Sequence, residues 1–273
     1  MVRVNFHVHT NESNCGKLTP REVVKEAIKS GVTHMCFTDH FFVPKEVRDH
    51  KDEIRHLDGY YNELINLRNE FAQELDISIG LEVDWIEGYE DWYKEQLAKR
   101  NYDFLLGSVH FLRGTNGGFP NVKCLEKTAK EFGTIQNVIE RYYNEIKKMI
   151  EFGLIDCVSH MDLFKNGLKD KKILKENWFK KIVIEILELM KEKNICFEIN
   201  ASGWKRNGEQ YPSKWIIEKA KEMGMPITIG NDFHRLEWGN FDDGLDDAVK
   251  LAKEVGYKSI LIFKNRKPIE IKI

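Results

Sequence analysis

The chain lacks any apolar run near the roughly 20 residues that would cross a bilayer. It also lacks an excess of one charge: 42 basic against 44 acidic side chains give a formal net charge of −2. Binding to nucleic acid ordinarily shows as a basic field, so this balance gives no electrostatic case for it. Cysteine is scarce and odd in number, at five residues. Cys36, Cys157 and Cys196 fall inside apolar runs, whereas Cys15 and Cys124 do not. Buried free thiols in a reducing cytosol explain this better than disulfides do. His7 comes too early for a signal peptide to precede the first motif, so a cytoplasmic location is expected. No internal repeat or linker is visible, and one domain spanning residues 1–273 is expected.

What is present is enough apolar material for a core, 42% of residues, in a regular alternation of strand-like and helix-like segments. Short apolar runs bounded by turn residues predict buried parallel strands near 2–7, 33–38, 77–83, 103–109, 155–160, 195–199 and 226–231. Between them, 3.6-residue patterns predict helices. One follows Thr19-Pro20, an N-cap with proline in the first helical position, and stops at Gly31. Others are predicted over 58–75, 89–100, 134–151, 178–193, 213–223 and 242–255, and the tail from Lys258 to Ile273 predicts a strand pair. Seven strands with intervening helices fit a closed or nearly closed α/β barrel, and a flat doubly wound sheet is the alternative. Two long loops, Phe41 to Leu57 and Leu112 to Lys127, fall after strands; each is a lid or specificity candidate, or simply a solvated connector.

Six of the nine histidines sit at or just past the ends of these runs: His7, His9, His40, His110, His160 and His234. Two further runs end in Glu82 and Glu198, and Asp232 ends the last. In a parallel barrel the C-terminal strand ends converge on one face, so these residues predict a multinuclear metal site there. His7 and His9 lie two apart and so point the same way from an extended strand. With Asp232 they suit one cation, Glu82 suits a bridge, His110 and His160 suit a second cation, and His40 with His234 a third. Nitrogen and oxygen donors without a thiolate pair favour zinc, manganese or iron. His34 starts its strand and is expected to be structural. His50 and His56 are expected to be solvated, with substrate contact as the other reading.

The order His-x-His-Thr, Thr-Asp-His, Gly-Leu-Glu, Gly-Ser-Val-His, Ser-His-x-Asp, Glu-x-Asn and Asn-Asp-x-His, from Asn5 to about Gly239, resembles the polymerase-and-histidinol-phosphatase (PHP) superfamily. Several stretches look like its histidinol-phosphate phosphatases: Gly80 to Trp85, Asp103 to Phe111, Ser159 to Leu163, Glu198 to Trp204, and Tyr211-Pro212-Ser213. The resemblance implies a distorted TIM-like (β/α)7 barrel with its metal site at the C-terminal strand ends. It further implies two or three divalent metals, and hydrolysis of L-histidinol phosphate to L-histidinol and phosphate in histidine biosynthesis. In the Ser13 to Gly16 loop, Cys15 stands where many relatives carry an aspartate or histidine ligand. It is either a zinc thiolate or no ligand at all, with Glu12 as a nearby substitute.

For the chemistry, Glu82, Asp232 and His234 are the catalytic candidates, the last two positioning the nucleophile or assisting the leaving group beyond ligation. Lys205, Arg206 and Arg235, with Lys165 as a weaker choice, are candidates for the phosphate. Trp204, Trp85, Phe111 and Phe233 flank ligand positions and are candidates for an imidazole platform or for core packing. The partner expected is a small phosphate ester; no nucleic acid or membrane is expected, and a homo-oligomer is possible. The competing readings are another small substrate, a sugar phosphate or nucleotide, and a non-catalytic metal-binding scaffold.

Overall fold

The computed structural model describes residues 2–13, 15–42, 57–115 and 117–273. Its central feature is a parallel sheet in which strands follow the chain: β1 (Val4–Val8), β2 (His34–Phe37), β4 (Asp76–Asp84), β5 (Phe104–Ser108), β6 (Cys157–Val158), β7 (Cys196–Asn200) and β8 (Ile227–Gly230). The two-residue β3 (His40–Phe41) also pairs with β4. It keeps the register of β2, since His34 faces Asp76, Phe37 faces Ile79 and His40 faces Glu82. The second strand therefore runs on past a break at Thr38 and Asp39. Closure comes from His9 N–H donating to Phe233 O at 2.8 Å and Phe233 N–H donating to His7 O at 3.2 Å. The result is the nearly closed, distorted barrel expected, not a flat sheet.

The strands are apolar because both faces are covered; β1, β5 and β7 are buried along their whole length. Helices α1 (Pro20–Lys29), α2 (Leu57–Glu70), α3 (Glu90–Leu97), α4 (Leu125–Phe132), α5 (Ile135–Phe152), α6 (Asn177–Glu192), α7 (Gly203–Asn207), α8 (Lys214–Glu222) and α9 (Leu245–Val255) fill the connections. Among the described residues no helix is long and apolar enough to cross a membrane. The signal at Thr19 is realised as a capping box: Glu22 N–H donates to the Thr19 hydroxyl, and the Glu22 carboxylate accepts from Thr19 N–H. Six of the seven predicted helices recur within about three residues of their expected ends, and that over 58–75 closes early in a turn after Glu70. Helices α4 and α7 were not expected.

The tail forms an antiparallel hairpin, β9 (Ser259–Lys264) and β10 (Lys267–Lys272), turned by Asn265 and Arg266, which both have positive φ. It closes the barrel at the end where the strands begin. Ser78 Oγ donates to Phe263 O at 2.9 Å, Asn265 N–H donates to Asp103 at 2.9 Å, and Arg266 donates to Leu154 O at 2.6 Å. His34 belongs to this end too, beside Thr33 and Asp76. With the base sealed, the open end is the one where the strands finish.

Candidate metal centre

At that open end, β1, β3 and β4 and the segments following β5, β6 and β8 each deliver one or two ligand-type side chains. A one-residue register shift between Asn5 and Val8 re-aims the end of β1. It leaves His7 and His9 side by side, with Nε2 atoms 3.1 Å apart and both residues fully buried. Asp232 Oδ1 lies 3.5 Å from His7 Nε2 and 3.3 Å from His9 Nε2. Glu82 is the hub. Its oxygens face His40 Nδ1 at 2.9 Å, His160 Nε2 at 3.1 Å, His7 and His9 Nε2 at 3.5 Å each, and His110 Nε2 at 3.7 Å.

Glu82 has no solvent exposure, and neither carboxylate oxygen has a hydrogen-bond partner. A carboxylate buried that way costs several kcal/mol unless a cation compensates it. Converging imidazole nitrogens around such an oxygen pair fit divalent ions. Three groupings bring their donor atoms within 4.8 Å of one another: His7, His9 and Glu82; His40, Glu82, Asp84 and His110; and His9, Cys15, His40 and His234. His110 and His160 face the same oxygen of Glu82 with their rings 5.1 Å apart, so the structure brings the expected pair together, and His40 and Asp84 join His110 in one of the groupings. Glu12 is in none of them, whereas Cys15 is.

The imidazoles are aimed by acceptors on their outer nitrogens. His7 Nδ1 donates to Glu198 Oε1 at 2.8 Å, His110 Nδ1 to Asp84, and His234 Nδ1 to Asp232 O at 2.8 Å. An acceptor there fixes the proton on Nδ1 and leaves the Nε2 lone pair for a metal. Glu198 is held in turn by His160 N–H and the Asn200 side chain. Its approach requires Gly230, where a Cβ would overlap both Glu198 Oε1 and His7 Cβ. Asp39, by contrast, faces away; it accepts from Thr10 N–H at 2.7 Å, from Ser13 and from Tyr60, and so pins the loop that carries Cys15.

The charges are strongly coupled. Burial opposes a proton on His7, yet Glu198, Glu82 and Asp232 outweigh it and raise its pKa well above the usual value. Burial and the His40 charge oppose a proton on His9, but Cys15 and Asp232 lift it to about 9. Burial would raise the Cys15 thiol; His40 and His9 override it and bring it down to about 2, a thiolate. Burial would raise Glu82 as well, and the His7, His40 and His110 charges hold it well below the usual carboxylate range. His110 goes the other way: burial outweighs Asp84 and Glu82 and lowers it to about 4.

Residues 5–202 match the PHP domain family. The chain belongs to the PHP family. A Deinococcus radiodurans protein named a probable histidinol-phosphatase is 29% identical over 265 residues, 96% of each chain. The Bacillus subtilis histidinol-phosphatase is 29% identical over 255 residues, 86% of this chain and 94% of its own. The histidinol phosphate phosphatase of Lactococcus lactis, solved with zinc, L-histidinol and phosphate, has a TM-score of 0.80 at 24% identity, covering 98% of each chain. That last likeness shows that the two chains share the barrel fold.

Above the PHP cluster opens a cavity of about 880 Å³. The sequence candidates are distributed around it unevenly. Arg206 donates to Asp232 Oδ2 at 2.8 Å, Lys205 to Trp238 O at 3.0 Å and to Asp243, and Arg235 to Cys15 O at 2.5 Å while lying 4.1 Å above the Trp238 ring. Trp204 and Phe233 line the cavity; Trp85 is in the core, stacked on Tyr93 and bonded to Glu145. Lys165 is also away from it, fully buried between Asp162 at 3.0 Å and Gln210 O at 2.5 Å. His50, His56 and most of the 41–57 loop lie outside the described residues.

Sequence reasoning missed Asp84, the aiming role of Glu198, Lys123 and Trp238. Asp84 had a signal: it is two residues beyond Glu82 and so on the same face of β4. Lys123 and Trp238 had none, because their place depends on how loops fold back.

Proposed function

We propose that this PHP chain is a metal-dependent phosphomonoesterase that hydrolyses L-histidinol phosphate to L-histidinol and phosphate. The observation that carries the reading is the buried Glu82 hub, ringed by imidazoles, at the floor of a cavity with opposite charges in its walls. Lys123, Lys205, Arg206 and Arg235 line one side of it and give a phosphate ester a positive wall. Asp243 and Asp247 can meet an ammonium group, and Trp204 and Trp238 offer faces to an imidazole. Histidinol phosphate carries all three groups, whereas a sugar phosphate has neither amine nor imidazole. The near-neutral net charge supports a small ester over a polymer. The names of the relatives point to the same substrate.

In this reading His7, His9 and Glu82 would hold one divalent ion and Glu82 with His40, Asp84 and His110 a second, while Cys15 and His234, beside His9 and His40, would offer donors to a third. The thiolate favours zinc there. Bound divalent ions supply an activated water near neutral pH and take up charge on the phosphoryl oxygens. The protein's own work is orientation. Glu198 fixes the His7 tautomer, and Arg206 holds one oxygen of Asp232 so that the other faces His7 and His9. The Asp232 backbone, at a φ of +52°, accepts the His234 proton and turns its Nε2 inward. His234 is therefore assigned as a ligand and Asp232 as a positioning group. Asp232 and His234 lie beyond the family-matched residues yet complete the cluster, which supports one domain over residues 1–273.

The test is phosphate release from histidinol phosphate beside sugar and nucleotide phosphates, using metal-loaded protein with a chelator control. A chelator-sensitive preference for histidinol phosphate supports the assignment. Equal, feeble turnover of every ester overturns the substrate, and no metal-dependent turnover at all overturns the enzyme.

A further inference from the structure

Of the four cations at the cavity, three already have acceptors: Lys205 has Asp243, Arg206 has Asp232 and Arg235 has Cys15 O. The fourth, Lys123, lines the cavity with no acceptor for its ammonium among the described residues. The fold delivers it deliberately. After His110 the chain makes an excursion closed by Leu112 N–H to Pro120 O at 3.0 Å and Gly114 N–H to Gly118 O at 2.7 Å. It then returns antiparallel, with Phe111 paired to Asn121 and Val122 N–H donating to His110 O at 2.9 Å. Lys123 follows directly, its N–H on Asn121 Oδ1 at 2.8 Å and its carbonyl packed where any Cβ on Gly167 would overlap it. The backbone is fixed on two sides, and the side chain is directed at the site.

We propose that Lys123 is the residue that recognises the phosphate dianion in this cavity, a fixed point charge opposite the Glu82 cluster, with Arg206 reserved for positioning Asp232. The proposal rests on the phosphatase reading above. An ammonium half-removed from water without a partner is costly, and a dianion bound beside it offsets that cost. The surroundings agree: burial lowers its pKa from the usual lysine value, while Asp232 pulls it up, Arg206 pulls it down and Glu82 and Asp84 pull it up. The ammonium thus feels the same carboxylates that organise the centre. Neither its residue type nor its place in a loop marked it in the sequence.

The experiment titrates inorganic phosphate calorimetrically into the full-length, zinc-loaded protein and its K123M and K123R variants, with zinc content measured on each. A charged hydrogen bond lost to Met is expected to weaken phosphate binding about 10- to 100-fold. Zinc content should stay that of the wild type, and K123R should recover most of the affinity. With a phosphomonoester substrate the loss should appear mainly in KM. Unchanged phosphate affinity in K123M overturns the proposal, as does an affinity loss in both variants that tracks lost zinc. Lys123-dependent phosphate binding by a protein that fails to turn over histidinol phosphate would support Lys123 and sink the substrate reading instead.

Discussion

Glu198→Gln isolates the aiming of one imidazole from its ligation. The carboxylate accepts three hydrogen bonds: from His7 Nδ1 at 2.8 Å, His160 N–H at 3.2 Å and Asn200 Nδ2 at 2.9 Å. It is 1% exposed, so water cannot substitute for a lost partner. Glutamine has the same shape but offers one acceptor oxygen and one donor amide. Whichever way the amide is turned, at least one of the three donors faces another donor. If that donor is His7, its proton moves to Nε2, and the nitrogen that faces His9, Glu82 and Asp232 stops being a ligand. Removing such a partner typically costs 10- to 100-fold in metal affinity, or about 1.4–2.7 kcal/mol. The assay is chelator competition followed by metal analysis, run against wild type at one pH. At saturating metal much of the activity should return, because no group that meets substrate has been altered. A Glu198→Gln protein that binds metal as tightly as wild type would refute the reasoning about tautomers.

Other perturbations separate site from scaffold. Gly230→Ala puts a Cβ into the space used by Glu198 and His7; overpacking of about 1–3 kcal/mol should lower the melting temperature by several degrees and weaken metal binding with it. Thr19→Ala removes the capping box far from the centre and should cost about 1 kcal/mol, seen as a small drop in melting temperature at unchanged metal content and turnover. Metal uptake should release protons. His7 is raised well above its usual value and His9 to about 9, so both carry protons near pH 7 that a metal must displace. Apparent affinity should therefore rise with pH up to about 9 and fall below it, and calorimetry in buffers of different ionisation heat should register the protons; no proton release at pH 7 would contradict the assignment of these imidazoles as ligands.

The ligand set was legible because strand chemistry repeats. Buried apolar runs have no packing reason to end in histidine five times over, and two-residue spacing on β1 puts His7 and His9 on one side. The tail hairpin was legible from its alternation, but not its docking against the starts of β4, β5 and β6, which joins residues far apart in sequence. The division of labour within Thr38-Asp39-His40 was hidden as well. Adjacent residues on an extended chain face opposite ways, and only the fold shows that His40 enters the cluster while Asp39 anchors the Thr10 to Ser13 loop. Helix α4 escaped notice because it spans only Leu125–Phe132 and its N-cap, Cys124, makes no side-chain cap hydrogen bond. Lys123 was hidden for a related reason: its position is set by a loop that returns on itself, and no local pattern encodes that return. Asp84 was within reach, since extending the third predicted strand by one residue places it beside Glu82.

The central claim is that a cluster organised by Glu82 holds the metals that make this chain a histidinol-phosphate phosphatase. The most direct measurement titrates zinc or manganese into chelator-stripped protein while following bound metal and phosphate release from histidinol phosphate together, in wild type and in Glu82→Gln. The account expects turnover to appear as the second equivalent binds, to reach kcat/KM of about 10⁴ M⁻¹s⁻¹ or more, and to be lost in the folded Glu82→Gln protein along with tight metal binding. Full turnover in the stripped protein, or undiminished turnover and metal binding in Glu82→Gln, would contradict it.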